Sequence, residues 1–204
     1  MKIKNSDLTF TLASKSPRRA ELLRNLGIDP VIFPVDLDES LSDAFALCDM
    51  VKSLALSKAR SAALFVENSV IIGADTLVSF NGKVYGKPRD EAAAVEMLSA
   101  LSGEWHEVYT GIAVINKLKD GLDHTAEEIV EYELTRVHFS VTDSDTIKRY
   151  IATGEPFDKA GAYGIQGMGS ILVDRIEGDY FNVMGLPIHR LSRILKNEIG
   201  YYII

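Results

Sequence analysis

Short apolar runs with strand-like composition occupy residues 9–13, 31–35, 70–80, 108–115, 131–141 and 170–174. Between them, apolar residues recur every three or four positions. That spacing predicts helices over residues 18–26, 43–65, 90–101, 143–151 and 187–196. The first helix follows the polar turn Ser14 to Pro17 and is stopped by Gly27, while Gly154 and Pro156 end the fourth. In the long second helix the apolar stripe passes through Leu47, Val51, Leu54 and Ala62.

Asn81-Gly82, between Phe80 and Lys83, predicts a two-residue type I′ turn, since both positions must take positive φ. The chain then doubles back through Val84 and Tyr85. Extending that register sets Lys87 opposite Thr76 and Pro88 opposite Asp75, so Lys87 becomes a diagonal neighbour of Asp75. A hairpin tip is expected between the runs at 108–115 and 131–141, and residues 161–169 form a glycine-dense loop. The alternation is a mixed α/β pattern without internal repeats or a dividing linker, and 1–204 is read as a single domain.

Composition adds limits. At 47% hydrophobic and 25% charged residues the chain is an ordinary globular one. A net charge of −7 opposes binding to nucleic acid or to an anionic membrane surface, so an anionic ligand must be small and locally held. The lone Cys48, read as a core residue, excludes an intramolecular disulfide and fits a reducing compartment. No segment reaches the ~18 apolar residues of a membrane helix, and the polar start lacks a signal peptide's apolar run, which together predict a cytoplasmic protein.

Four signals break the expected pattern of charge. Ser14-Lys15-Ser16-Pro17-Arg18-Arg19 places two arginines at a helix N-terminus, where the dipole favours acids and anions. Arg19 prolongs the apolar face of Leu22, Leu23 and Leu26 and is expected to point into a cleft. On the motif alone, a phosphate site and arginines paired with surface carboxylates both stand. Lys58 continues the buried stripe of the long helix, where its ammonium needs a partner unless it snorkels to solvent.

Asp75 lies in Val70-Ile71-Ile72-Gly73-Ala74-Asp75-Thr76-Leu77-Val78, a run that reads as a strand covered on both faces. A carboxylate there is either a paired structural group or a general base and metal ligand. Gln166, flanked by glycines, can bring a carboxamide with donors and an acceptor to a base edge. The glycine loop has no strand leading into it, which excludes a dinucleotide fingerprint. His106, His124, His138 and His189 lack metal-ligand spacing, and no serine sits in a nucleophile elbow.

Together these segments resemble the Maf family of nucleoside triphosphate pyrophosphatases over nearly the whole chain. The matching landmarks are Ala13 to Arg19, Ala55 to Ala59 around Lys58, Gly73-Ala74-Asp75-Thr76, Gly86-Lys87-Pro88, Asp158-Lys159-Ala160-Gly161 and Glu177 to Val183. Lys15 replaces a usually small residue, and Arg89 stands where Lys is common. The resemblance implies an elongated, two-lobed mixed-sheet α/β fold with a central cleft, similar to inosine triphosphate pyrophosphatases, and often a homodimer. It also implies hydrolysis of a nucleoside triphosphate to the monophosphate and pyrophosphate.

Within the family, enzymes acting on dTTP and UTP carry Arg, Thr and Gln where this chain has Arg18, Thr76 and Gln166, whereas the 7-methyl-GTP branch typically differs at all three. The expected roles follow. Asp75, with a divalent metal for which magnesium is the expectation, activates water; Lys58 and Lys87 act with it in catalysis. Ser14, Ser16, Arg18, Arg19, Thr76 and Gln166 bind substrate, and Glu39 is a second metal ligand. A non-catalytic nucleotide-binding regulator of cell division and a pyrophosphatase for modified purine triphosphates are the alternatives.

Overall fold

The computed structural model describes residues 8–35, 46–118 and 127–204. Its strands are β1 (Phe10–Ala13), β2 (Val31–Ile32), β3 (Val70–Phe80), β4 (Lys83–Tyr85), β5 (Trp105–Asn116), β6 (Glu127–Phe139) and β7 (Val173–Glu177). They form a seven-stranded sheet in the order β2-β1-β3-β5-β6-β7, with β4 paired to β3. β1 is parallel to β2 and β3, whereas β3/β4 and β6/β7 are antiparallel, so the sheet is mixed as expected. The helices are α1 (Pro17–Asn25), α2 (Leu47–Ala63), α3 (Glu91–Leu101), α4 (Ser144–Ala152), α5 (Tyr180–Val183) and α6 (Ile188–Ile194). None of the described helices is long and apolar enough to cross a membrane.

Local chemistry accounts for most boundaries. Asn81 and Gly82 take φ of 49° and 76°, the type I′ geometry, and the ladder begins at Phe80↔Lys83. Asp90 accepts from the Ala93 amide at 2.8 Å to cap α3, and Asp143 accepts from the amides of Asp145 and Thr146 at 2.9 Å to cap α4. Gly27, at φ 77°, follows α1 where a stop was expected.

Several expectations are corrected. β2 ends at Ile32 rather than Val35, because Pro34 has no amide hydrogen to extend a ladder. The strand expected at 170–174 begins only at Val173; residues Gly167–Leu172 form a 3-10 helix instead, entered through Gly167 at φ 68°. The last helix passes at Leu195 into a π turn, Leu195–Ile199, before Gly200. Cys48 is half-buried rather than a core residue. The tip between β5 and β6, the acidic turn and the first residues expected in the long helix lie outside the described residues.

The chain divides into two compact units, passing from one to the other within β3, β5 and β6 and again at Met184 to Gly185. The first holds residues 1–75, 110–132 and 185–204. Its core includes Ala13, Ala55, Ala59, Ala62, Ile71, Ala113 and Ile115, a set built on alanine. Small residues are required there because α2 lies with its backbone against the strands. A Cβ on Gly73 of β3 would meet the Ala55 carbonyl oxygen at 2.3 Å, and one on Gly111 of β5 would meet that of Val51 at 2.1 Å. The buried seam of α2 is therefore Met50, Val51, Ala55, Lys58, Ala59 and Ala62, and the expected Leu47 and Leu54 are only half-buried.

The second unit, residues 76–109 and 133–184, has a larger-residue core around Leu98, Leu101, Val137, Phe139, Ile147, Tyr150 and Tyr163. Asn182 of α5 is fully buried and donates to the Val108 carbonyl and to Thr135 Oγ1, both at 2.9 Å. That pair of bonds fastens the short helix to β5 and β6.

Candidate active site

Gly73 and Asp75 are two residues apart in β3 and so project from one face of the strand. At Gly73 the missing side chain lets α2 descend until its backbone rests on the strand. Lys58, one residue before Ala59 in that contact, is thereby brought onto Asp75, and its Nζ donates to Asp75 Oδ1. The two groups are 8% and 4% exposed. Two charges removed from water this far stabilise the fold little in net terms, yet removal of either leaves the other costly to bury. The partner that Lys58 needed is Asp75.

Arg19 enters from the mouth of α1. Its Nε donates to the Gly185 carbonyl at 2.7 Å, and Nη1 donates to the Ala74 carbonyl at 2.8 Å and to Ser14 Oγ at 3.2 Å. The guanidinium is almost fully buried. It ties the peptide preceding Asp75 to the start of α1, so part of its donor capacity serves the fold. Ser14 Oγ also accepts from the Ser16 amide at 3.1 Å, which folds the β1–α1 turn over the arginine. Ser16 is the N-cap residue without a side-chain cap bond, and the first turn of α1 contains no acid. Lys15 is exposed and Arg18 half-buried.

Thus the first unit gathers Ser14, Ser16, Arg19, Lys58 and Asp75 around the middle of β3. Thr76, next along that strand, and Lys87 and Gln166 belong to the second unit. β4 stops at Tyr85, so the extrapolated pairs of Lys87 with Thr76 and Pro88 with Asp75 are not in the ladder. The reason is a competing bond: the Gly86 carbonyl accepts from the Gly161 amide at 3.1 Å. That bond brings the exposed Lys87 to the start of the glycine-rich loop that carries Gln166.

Beneath that loop Tyr163 Oη and His106 Nε2 form a hydrogen bond of 2.8 Å, and Phe139 packs edge-on against both rings. Burial pushes His106 down to about 4 and pushes the Tyr163 phenol up, so both are neutral at pH 7. Gln166 itself is exposed. Glu39 lies outside the described residues. Among the described residues no group of three or more His, Cys, Asp or Glu converges where a metal ion could be held. Sequence reasoning missed Gly73 and Gly111 as contact points, and it missed Glu155 and Tyr150, described below. Isolated glycines within strands were the available signal for the first pair.

The fold and this first-unit geometry define a mixed-sheet α/β protein that concentrates positive charge around one buried carboxylate. Its sequence relatives agree on the class. The chain belongs to the Maf-like protein family, whose profile matches residues 9–198. A protein of Alkaliphilus oremlandii named dTTP/UTP pyrophosphatase is 46% identical to it, over 92% of this chain and 94% of the relative. Similarly named proteins of Methylobacillus flagellatus and Moorella thermoacetica are 47% and 48% identical, over 91% of this chain and 90% and 93% of their own lengths.

Proposed function

We propose that this chain hydrolyses nucleoside triphosphates, dTTP and UTP among them, to the monophosphate and pyrophosphate. The observation that carries the reading is the buried Lys58–Asp75 pair beside Arg19, in a chain nearly half identical to proteins named for that activity. In the reaction, a water oxygen attacks the α-phosphorus, the anhydride bond to the β-phosphate breaks, and pyrophosphate leaves. Asp75 accepts the water's proton, and Lys58, paired with that carboxylate, adds positive charge beside the triphosphate. Arg19 and Lys87 supply positive charge to the phosphates, with Ser14 and Ser16 shaping the turn that receives them. Arg18, Thr76 and Gln166 select the base.

A divalent metal, magnesium by expectation, fits the donor set. Magnesium is commonly held by one or two carboxylates together with substrate phosphates and water rather than by a full protein cage. Asp75, with Glu39 on the sequence motif, would hold it. When bound, it would supply charge to the phosphate oxygens and acidify a ligated water. A chain of net charge −7 suits a small anionic substrate held by local positive charge rather than a nucleic acid.

The test is a product assay with dTTP, UTP and dGTP in the presence of magnesium, resolving pyrophosphate from orthophosphate. Pyrophosphate released in equal amount to dTMP or UMP is the expected result. Binding of dTTP without product would overturn the reading in favour of a nucleotide sensor, and preferred cleavage of purine triphosphates would overturn the choice of base.

A further inference from the structure

Gln166 lies in a segment whose backbone is held by side chains rather than by a sheet. Tyr150 Oη accepts from the Gly164 amide at 3.2 Å and donates to Glu155 Oε1 at 3.0 Å. The same carboxylate accepts from the Gly169 amide at 3.1 Å through Oε1 and from the Met168 amide at 3.0 Å through Oε2. Amides on both sides of Gln166 therefore converge on one phenol and one carboxylate. Lys159 closes the arrangement, its Nζ donating to the Glu155 carbonyl at 2.7 Å.

The glycines of this loop follow from that approach. A Cβ on Gly167 would lie 2.8 Å from Glu155 Oε2, and one on Gly169 would lie 2.5 Å from Tyr150 Oη. Burial raises the Glu155 carboxyl, but the amides of Gly169 and Met168, the Tyr150 hydroxyl and Lys159 together outweigh it and hold its pKa below the ordinary value; burial raises the Tyr150 phenol. The carboxylate is thus a pure acceptor and the phenol a donor at pH 7, the two states the network requires. Gln166 is the N-cap residue of the following 3-10 helix and makes no side-chain cap bond to it. Its direction is set by the backbone on either side.

We propose that Glu155 is a positioning residue for base selection: with Tyr150 it fixes the backbone of residues 164–169, so that the Gln166 carboxamide is presented to a pyrimidine base in one orientation. The inference rests on reading Gln166 as a base-selecting residue. Without the clamp, the loop would have to be ordered by the substrate itself, at the expense of binding.

Glu155→Gln tests it, because the substituted amide sets a donor against a backbone N–H. The kcat and KM of dTTP, UTP and dGTP are measured for this variant, for Gln166→Ala and for the double variant. Glu155→Gln is expected to lower kcat/KM for the two pyrimidine substrates by up to roughly tenfold relative to dGTP, chiefly through KM. It should have no further effect on that ratio once Gln166 is Ala. Amide exchange at Gly164, Met168 and Gly169 should quicken while β5 keeps its protection. Equal losses on all three substrates, or additive losses in the double variant, would overturn the proposal. Should Gln166→Ala lose selection while Glu155→Gln retains it, only the positioning role fails; should Gln166→Ala leave selection unchanged, the reading of Gln166 fails and the proposal with it. Tyr150→Phe, which removes one bridge and keeps the packing, gives the same comparison if Glu155→Gln does not fold.

Discussion

The middle of β3 and the loop carrying Gln166 both rely on glycines that admit a close neighbour, but the neighbour differs. At Gly73 it is the backbone of a helix in the alanine-lined core, and the contact sets where Lys58 meets Asp75. At Gly167 it is the polar end of the Glu155 side chain, and the contact sets the course of a surface loop. The first arrangement cannot relax without moving an element of the core. The second is local, and single hydrogen bonds in it can be changed while the fold stands. A rigid seat suits the group that meets every substrate, and an adjustable one suits the group that distinguishes among them.

Asp75→Asn should show the largest effect and sharpens this contrast most. Turnover is expected to fall on the order of a thousandfold, by one common factor for dTTP, UTP and any weaker substrate. Loss of stability accompanies it, because the buried Lys58 ammonium loses its ion pair with the Asp75 carboxylate. Steady-state kinetics with a denaturation curve separates the two, and near-normal turnover would remove Asp75 as the base.

Gly73→Ala tests the seat itself. The added Cβ must displace α2 or bend β3, at about 3 kcal/mol of stability, and activity should drop although no reacting group has changed. If urea unfolding were unaltered, the close backbone contact would not be a determinant of the site.

On the loop side, His106→Phe probes the floor under Tyr163. The folded protein holds His106 at about 4 against an ordinary 6.5, so the unfolded chain takes up the proton first. Its neutral burial contributes fully above pH 6.5, and the contribution is lost as pH falls from 6.5 towards 4, amounting to about 3 kcal/mol. Thermal melts across that window should decline less steeply for His106→Phe, from a lower starting point because Tyr163 has lost its hydrogen-bond partner. An unchanged slope would mean that other groups govern the acid side.

The smallest expected effect is Gln166→Glu, which exchanges two donors for a charge. A fall of roughly tenfold in kcat/KM is expected for dTTP and UTP, with less change for other triphosphates. A common loss across all substrates would place Gln166 with Asp75 rather than in contrast to it.

Much of this contrast could be read from local sequence, and its most useful part could not. Asn81-Gly82 specified its turn, and Asp90 and Asp143 their caps, because each involves groups within three residues of one another. The strand at Val70–Phe80 needed only a mainly apolar run bounded by turn residues. Lys58 and Asp75 were each conspicuous as a charge in an apolar setting. Arg19 was conspicuous too, but two of its acceptors are carbonyl oxygens at Ala74 and Gly185, and every residue type carries one. The register carried forward to Lys87 failed because Gly86 found a distant partner in Gly161.

By itself, then, the sequence determined the alternation of strands and helices, the turn and cap chemistry, and which charges had no apolar reason to be where they are. Those follow from periodicity and from interactions a few residues long. Only the tertiary structure decided that Lys58 lands on Asp75, that Arg19 bonds to the strand just before that acid, and that Glu155 and Tyr150 grip the loop of Gln166. Each depends on how closely one backbone can approach a group far away in the chain. That distance is set by packing, to which no single segment holds the key.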